Sequence, residues 1–420
     1  MAFILNNYSN ALHNILLPYI RDNFPKATIL LDQLKRNSGV THMNNNFYAP
    51  LRNSRHGGIV SLANDGNSTV SGTAGVSQAS VGVKTHTGVF DISKLAIDAS
   101  KGNRDAVAPA LQYQAESLAS DFARTINRQM FGDGVGIIGQ VLGSVGAGTA
   151  SVMYPDANID DNRNGQAGTS VDWYGTINSD ISPTKYLAPG MHLGVGTGAA
   201  NIGTVSSVTG TSVLFTTSVP IVANDALYTV DGSGGAPGTA EIQGIRGALS
   251  STTGTNTYAG VARSTVGWTP QFGSVAEALT LSRMESAYLA ATEYSQVGDQ
   301  YVILVNKTLF KKYGDLLTAM RRVVNQADLL GGWKGLEFAA GGGNVGVFLD
   351  YDVPDGEVLI LNLDTWTICQ VSDLDWMESP NEGAMLRVAN SITYQATMVW
   401  FANLLCLTPA ANARETRKTA

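Results

Sequence analysis

The sequence has few charged residues and lacks both a long basic stretch and a long apolar run. Charged residues make up 15% of the 420 residues, against roughly 25% in an ordinary soluble domain. The formal net charge is −7, and no basic stretch is longer than a pair such as Lys311–Lys312, so tight sequence-independent binding of nucleic acid is disfavoured. No uncharged apolar run approaches the roughly 20 residues of a membrane span. The composition therefore predicts neither a nucleic-acid-binding nor a membrane protein.

Cysteine is scarce too, with two residues, Cys369 and Cys406, each in apolar, strand-like surroundings. A disulfide framework is not indicated, and the prediction is a pair of buried free thiols. The first residues lack the cationic and apolar regions of a signal peptide. We therefore expect synthesis in a reducing cytoplasm.

The motifs of common catalytic and metal sites are missing or incomplete. The five histidines are scattered, at His13, His42, His56, His86 and His192, with no metal-ligand spacing. Gly134, Gly136 and Gly139 form a G-x-G-x-x-G motif, but it follows a predicted helix, whereas dinucleotide binding needs a preceding strand. The prediction is a flexible connection there, with no catalytic, cofactor or metal site anywhere in the chain.

Two acidic patterns are open to a functional interpretation. The run Asp160–Gly165 resembles the start of a calcium loop, but Val171 stands where the bidentate Glu is expected. An Asx-rich turn is favoured there, and a bound divalent ion is the alternative. The acidic groups Asp350/Asp352/Asp355 and Asp373/Asp375/Glu378 lie beside glycine and proline. They are predicted to be solvated ends of hairpins.

The N-terminal third combines a ribbon pattern with a long helix pattern. Phe47–Leu51 and Ile59–Leu62 read as extended, Ala79–Ile97 alternates like a strand, and Asn64–Gly75 between them has no core-forming residue. A two-stranded ribbon is not stable alone in water, so it needs a partner surface, unless it folds back on its own domain. Asp105–Phe131 has apolar residues at helical spacing and predicts a helix roughly 40 Å long.

The rest of the chain predicts a β-rich insertion followed by alternating helices and strands. Short strand patterns in the insertion favour a small barrel or sandwich, at Met191–Val195, Ile202–Val208, Val213–Thr217 and Ala226–Val230. The following helices are predicted at Val275–Tyr294 and Thr308–Gln326. Strands are predicted at Tyr301–Val305, Val345–Leu349, Glu357–Leu363, Trp366–Val371 and Met385–Leu407, before a disordered polar tail, Ala410–Ala420.

This order of parts resembles the HK97-type major capsid fold. The local segments that carry the resemblance are Gly244–Ser251 with Gly267–Pro270, Tyr301–Val305 with Lys307–Tyr313, Gly335–Phe338, Val347–Gly356, Val358–Thr365 and Phe401–Ala411. The resemblance implies an α+β, HK97-like fold with an inserted β-rich domain. Its parts would be an N-terminal arm (1–42), an E-loop ribbon (43–99), a P-domain spine helix (100–134), the inserted domain (135–245), a P-domain/A-domain segment (246–300), an A-domain (301–385), and closing strands with a tail (386–420).

The resemblance implies a major capsid protein of a tailed bacteriophage. Such a chain assembles with itself into hexamers and pentamers of an icosahedral shell around double-stranded DNA, in the virion head, after assembly in the host bacterial cytoplasm. A portal, a separate scaffolding protein and a cement protein are the further partners implied. An encapsulin-type nanocompartment shell is the nearest alternative, and a secreted β-rich binding protein is a more distant one.

Four residues of the ribbon are candidates for contacts between subunits. Arg52 and Arg55 are candidates for pairing with a neighbour's carboxylates, because guanidinium–carboxylate pairs fix register; the alternative is solvated surface charge. Some members of this family crosslink subunits through a Lys–Asn isopeptide bond. Lys84 and Lys94 lie on the ribbon, but no partner Asn or Glu is marked, so a crosslink is not predicted.

Overall fold

The architecture comes from a computed structural model that describes residues 29–59, 61, 71–95, 104–144, 149–152, 186–195, 202–209, 212–216, 221, 225–230, 241–250, 257–275, 277–296, 298–319, 326–328, 334–340, 343–354, 356–378, 385–388 and 390–419. Most of the predicted arm, the Asp160–Gly165 run and Asp355 lie outside the described residues.

The elements are numbered in chain order. The helices are α1 (Ile29–Gln33), α2 (Arg104–Phe131), α3 (Ile245–Ala248), α4 (Leu281–Thr292) and α5 (Lys307–Ala319). The first strands are β1 (Lys35–Arg36), β2 (Thr41–Met43), β3 (Asn46–Arg52), β4 (Val76–Gly82) and β5 (Lys84–Ser93). Those of the insertion are β6 (Ile137–Ser144), β7 (Thr149–Val152), β8 (His192–Val195), β9 (Ile202–Val208), β10 (Ser212–Phe215) and β11 (Ala226–Thr229).

The remaining strands build the C-terminal half. They are β12 (Thr257–Tyr258), β13 (Val261–Ala262), β14 (Gln271–Gly273), β15 (Glu277–Ala278), β16 (Tyr301–Val305), β17 (Gln326–Asp328), β18 (Lys334–Ala340), β19 (Gly343–Leu349), β20 (Val358–Asn362), β21 (Trp366–Gln370), β22 (Asp375–Trp376), β23 (Met385–Arg387), β24 (Thr393–Cys406), β25 (Ala413–Glu415) and β26 (Lys418–Thr419). The predicted α+β class is confirmed.

Helix α2 forms where its apolar periodicity predicts it, within one residue at its start. Its buried face packs on β5, where Gly88 leaves room for the helix: a Cβ there would lie 3.1 Å from the Leu118 side chain and 3.3 Å from that of Phe122. The helix ends at Gly132, whose N–H donates to the carbonyl of Gln129. This close contact fixes α2 across one face of a six-stranded sheet.

Strand β24 is the centre of that six-stranded sheet. It pairs antiparallel with β5 from Thr393↔Ser93 to Ala402↔Lys84, and β21, β22 and β23 pair with it as well. Alternate residues of β24 face α2 and are buried, among them Met398, Trp400 and Ala402. The sheet and helix share one apolar core with the base of the ribbon.

The ribbon prediction was right in kind but wrong about its second strand. The predicted strand Ala79–Ile97 is interrupted at Val83: β4 pairs with β3, whereas β5 pairs with β24 in a different sheet. Of the predicted strand Ile59–Leu62, Ile59 and Ser61 are described and lie in no strand, and the other two residues lie outside the described residues; β3 ends at Arg52. The alternation of apolar and polar residues continues across Val83 because β4 and β5 each have one buried face. This alternation does not specify which strand each of them pairs with.

The insertion is a closed six-stranded barrel with its own apolar core. The strands neighbour one another in the order β10-β7-β6-β11-β8-β9, and the interior is filled by residues such as Val141, Leu193 and Leu227. The barrel alternative of the prediction is therefore observed. Its first two strands escaped prediction because they are rich in glycine and small residues, and the predicted flexible connection contains the start of β6 instead.

The C-terminal half contains a seven-stranded mixed sheet in the order β14-β25-β20-β16-β19-β18-β17. Helices α4 and α5 bury apolar residues against it, including Tyr288, Leu309 and Tyr313. Helix α4 begins later than predicted, because Thr280 caps it by accepting from the N–H of Arg283 at 3.3 Å. Helix α5 is described to Ala319, residues 320–325 of the predicted helix lie outside the described residues, and Gln326 begins β17 instead.

The predicted disordered tail, Ala410–Ala420, is wrong over its described residues. β25 lies inside the seven-stranded sheet, parallel to β14 and antiparallel to β20, and β26 pairs with β15. The charged residues that suggested a solvated tail are buried in ion pairs, as in Arg414–Glu357 and Lys418–Glu277. Composition alone does not distinguish a solvated charge from a paired one.

Candidate assembly surfaces

The ribbon of β3 and β4 has a packed base and an exposed outer half. Phe47, Ala49, Ala79 and Val81 at the base are buried, and the N–H of Ser80 donates to the carbonyl of Ala259 at 2.8 Å. Beyond the base the side chains turn to solvent, and Val76 is 72% exposed. The base fixes the direction of the ribbon. The side chains of the outer half remain accessible for contact with another chain.

Short hydrogen bonds hold the outer half in shape. The N–H of Asn53 donates to the carbonyl of Gly75 at 3.0 Å, and Asn53 Nδ2 donates to Ser77 Oγ at 2.5 Å. Arg52 Nε donates to the carbonyl of Ser54 at 3.1 Å. The exposed apolar and cationic groups are therefore presented by a defined turn.

The outer half of the ribbon combines cations with apolar side chains. Arg52 and Arg55 are both exposed, and neither forms an ion pair with another of the described residues. Exposed Ile59 and Val76 lie in the same outer half. Cations that are merely solvated need no apolar neighbours. Their combination with exposed apolar side chains is typical of a surface that contacts another chain.

Opposite α2, the six-stranded sheet has a second face whose side chains are exposed or half-buried over β5 and residues 393–401 of β24, whereas both faces are buried over β21. Strand alternation and cross-strand register place Val89, Val399 and Phe401 on this face. Val371 and Met377 lie at its margin and are 47% and 53% exposed. We call this surface the outer sheet face. It is poor in charge and rich in Thr and apolar residues.

Carboxylates lie at the margin of the outer sheet face. Asp91 on β5 is exposed opposite Gln395, and Asp375 on β22 pairs in register with Val399. Asp373 nearby is 3.7 Å from Arg36 Nη1 and remains 60% exposed. The outer sheet face is therefore apolar with an acidic rim, which complements the apolar and cationic outer half of the ribbon.

The two lysines considered for crosslinking differ in their surroundings. Lys84 is half-buried at the start of β5, and burial lowers the pKa of its amine. Lys94 follows the end of β5 and is exposed. The positions of the two lysines do not favour either one as a crosslinking residue.

One predicted surface turn is a buried junction instead. Asp352 accepts from Asn127 Nδ2 of α2 at 2.7 Å and from the hydroxyl of Tyr186 at 2.8 Å. Asp350 is 7% exposed and accepts from the N–H of Asp352 at 2.9 Å. The solvated-turn prediction is wrong for this pair, because turn composition does not reveal which donors of distant segments pack against it.

The remaining residues named from the sequence do not converge on a reactive centre. Cys369 and Cys406 are free and buried, as predicted, and burial raises the pKa of each thiol to about 12. Over the residues that the structure describes, no three His, Cys, Asp or Glu side chains are grouped to hold a metal ion. In the same part of the chain, no helix combines the length and apolar character needed to cross a bilayer.

The junctions between parts of the fold contain buried charges that sequence reasoning missed. Arg128 of α2 pairs with Glu241; burial disfavours its charge, but Glu241 outweighs burial and raises the pKa of Arg128. Glu357 lies between Arg414 and Arg246 with no exposed surface on its side chain. The residues in each group are distant in sequence, so no local pattern could have identified them.

Comparison with known proteins finds similarity in structure only. No protein-family model and no curated protein matches the chain. It is similar to the cyanophage A-1(L) capsid subunit, with 13% identity, 93% of each chain covered and a TM-score of 0.49. It is similar to the capsid protein of the native GTA particle, with 10% identity, 94% of this chain and 91% of that chain covered, and a TM-score of 0.44.

An encapsulin structure also matches, over a smaller part of the chain. For the SrpI encapsulin of Synechococcus elongatus PCC 7942 the identity is 13%, the coverage 36% of this chain and 53% of that chain, and the TM-score 0.28.

Proposed function

We propose that this chain is the major capsid protein of a tailed bacteriophage, which assembles with itself into the hexamers and pentamers of an icosahedral shell. The observation that carries the proposal is the outer half of the ribbon, which presents Arg52, Arg55 and Val76 away from its own subunit. An exposed ribbon with apolar side chains is a poor design for a monomer. Such a ribbon suits a subunit whose exposed apolar side chains become buried against a neighbouring subunit.

The proposed contact joins the ribbon of one subunit to the outer sheet face of the next. Cations meet the acidic rim, and apolar side chains meet the Thr-rich centre of the face. The two surfaces differ, so the contact is heterologous, and such contacts close into rings when the rotation between copies allows it. Many modest contacts of this kind sum to a stable shell, while each remains weak enough to correct a misplaced copy.

We assign a role in the shell to each segment of the chain. Within residues 43–99, β3 and β4 serve as the E-loop, because β5 belongs to the six-stranded sheet. Residues 100–134 serve as the spine and 135–245 as an outward-facing inserted domain, with the remaining parts divided as the family resemblance implies. The shell encloses double-stranded DNA without binding a particular sequence, and the net charge of −7 suits a wall along which DNA slides. A portal, a separate scaffolding protein and a cement protein complete the virion head, assembled in the bacterial cytoplasm. The chain itself has a structural, non-enzymatic role.

The first test is assembly of the protein expressed alone and with the products of neighbouring genes. Negative-stain electron microscopy with mass measurement should find closed shells, open sheets or hexamer and pentamer rings. A monodisperse monomer under both conditions would contradict the proposal. Co-purified portal and DNA would favour a phage head over an encapsulin, whose shell encloses a protein cargo.

The second test reverses the charges of the ribbon. We expect Arg52→Glu with Arg55→Glu to raise the protein concentration needed for assembly about 5–30-fold, since a loss of about 1–2 kcal/mol per contact has that effect. The subunit should keep its unfolding midpoint, because both side chains are exposed. Lys311→Glu, an exposed change on α5 distant from the ribbon in the fold, is the matched control and should leave assembly unchanged.

A rescue experiment identifies the receiving surface. Adding Asp91→Arg to the double variant should restore part of the assembly, because the new cation on the outer sheet face faces the new carboxylates. Normal assembly of the double variant would show that the ribbon charges do not form the contact. Lack of rescue with intact folding would place the receiving surface elsewhere.

A further inference from the structure

The barrel is joined to the rest of the subunit by two adjacent connections. One runs through 132–136 after α2, and the other runs through 241–244 before α3. Gly134 and Gly136 adopt φ values of +88° and +80°, which non-glycine residues rarely adopt. The connections touch each other: a Cβ on Gly134 would lie 3.3 Å from the Cα of Gln243. Both ends of the barrel therefore leave at one place, as at a pivot.

The apolar core of the barrel is separate from those of the rest of the subunit. Among the described residues, its core cluster contains only residues of the insertion, such as Ile138, Val205 and Phe215. The sheet–helix core and the seven-stranded-sheet core contain none of them. Apolar packing, which resists separation in every direction, thus holds the barrel together but does not fix it to its neighbours.

Directional polar contacts fix the barrel instead. At the pivot, Glu241 pairs with Arg128 of α2 and accepts from Thr229 Oγ1 at 2.7 Å. Beside the pivot, the hydroxyl of Tyr186 donates to Asp352 Oδ1 at 2.8 Å, and the Arg128 guanidinium lies 5.9 Å from the centre of the Tyr186 ring. The first contact anchors the connection, and the second ties the side of the barrel to the turn after β19.

A cleft of about 710 Å³ separates the barrel from its surroundings. Its walls are the exposed side of α2 at Asp121 and Thr125, the barrel segment from Tyr186 to Met191, and the turn Leu349–Asp352. Helix α2 and the residues that flank the turn, Phe348 and Val353, belong to one apolar core, whereas the barrel shares no apolar core with either of them. A space of this size therefore allows the barrel to turn relative to the other two walls. The Tyr186–Asp352 contact spans the cleft.

We infer that the barrel is a hinged module that turns about the paired connections 132–136 and 241–244, with the Tyr186–Asp352 hydrogen bond as the latch of its closed position. The inference rests on the proposed capsid role for its use: chemically identical copies in hexamers and pentamers need different placements of an outward domain. When the Tyr186–Asp352 hydrogen bond breaks and the Arg128–Glu241 ion pair remains, the barrel can adopt a small set of orientations at a low cost in free energy.

Distance measurement between spin labels tests the hinge directly. Labels at Thr125→Cys and Ala188→Cys, both exposed on opposite walls of the cleft, report its width by double electron–electron resonance. The native thiols will not be labelled, because they are buried with pKa values of about 12. Full-length subunits are measured below their assembly concentration, so that the result does not depend on shell formation.

We expect a single narrow distance in the otherwise native protein and an added longer population in Tyr186→Phe, which removes only the hydroxyl. Tyr113→Phe, at an exposed position of α2, is the matched control and should leave the distances unchanged. The same distribution with and without the Tyr186 hydroxyl would overturn the inference. So would a broad distribution in the native protein, since Tyr186–Asp352 would then not be a latch.

Hydrogen exchange separates hinging from unfolding of the barrel. Amides of β9 and β11 should remain protected in Tyr186→Phe, because the barrel keeps its own core. Loss of protection there would mean local unfolding, and the hinge would be rejected. A hinge found in a protein that never assembles would retain the inference about motion and reject the capsid role.

Discussion

Replacing Arg414 with alanine is expected to destabilise the subunit by about 3–5 kcal/mol, the cost of leaving a buried charge unpaired. Arg414 donates twice to Glu357, with Nε–Oε2 at 2.9 Å and Nη2–Oε1 at 2.7 Å. Neither side chain has exposed surface. Arg414→Ala removes both of these hydrogen bonds, and the nearby Arg246 lies at 3.7 Å from Glu357 Oε1. The loss is large because water cannot replace the missing donor.

Urea unfolding followed by fluorescence measures this loss. Lys35→Ala is the control, since the Lys35–Asp364 pair is at the surface with 57% of the lysine side chain exposed, and it should cost less than about 1 kcal/mol. Glu357→Gln should also destabilise, and the double variant should lose less than the sum of the single losses. A change under about 1 kcal/mol for Arg414→Ala would show that β25 is not held by this pair.

Stability should fall by about 3 kcal/mol between pH 6.5 and pH 4 through His86 alone. The pKa of His86 is lowered from 6.5 to about 4, chiefly by burial and also by Lys84, although Glu241 and a backbone hydrogen bond at Ala402 act in the opposite direction. The imidazole lies on the covered face of β5, with its centroid 6.0 Å from the Trp400 ring. Its Nε2 has no hydrogen-bond partner among the described residues, so a proton on this nitrogen would have no acceptor there.

The direction follows from which state binds the proton. In this pH range the unfolded chain binds a proton at His86 and the folded chain does not, so acid favours unfolding. The test compares unfolding free energies of the native protein and His86→Phe from pH 7 to pH 4.5. The difference should narrow or reverse as the pH falls, while His42→Gln, at an exposed histidine, should follow the native protein. Parallel pH curves for native and His86→Phe would contradict the prediction.

The elements with strong internal periodicity could be predicted from the sequence. Helix α2 and strands β9 and β16 lie within a residue of their predicted bounds, because each has a repeated apolar face and clear end signals. Strands without such a face were missed, as in β6 and β7. For the ribbon, the sequence indicated extended chain but not that β5 leaves β4 for β24.

The candidate surfaces were predicted in part. Arg52 and Arg55 were named from the sequence, and both are exposed in the outer half of the ribbon. The outer sheet face was not foreseen, because it consists of residues from β5, β22 and β24 that are up to 312 positions apart, as Val89 and Phe401 are, and meet only through strand pairing. The Asp350–Asp352 junction was misjudged for the same reason: Asn127 and Tyr186 are remote in sequence.

The sequence by itself determined what depends on neighbouring residues: the long helix, the alternating strands, two thiols unsuited to a disulfide framework, and a chain of low charge. The tertiary structure decided what depends on remote partners. It turned the polar C-terminal residues into two paired strands, because buried Glu357 and half-buried Glu277 supply partners for Arg414 and Lys418. It closed the insertion into a barrel with its own core, and it left part of one face of a sheet exposed. Burial and pairing are properties of the assembled fold, and no local pattern encodes them.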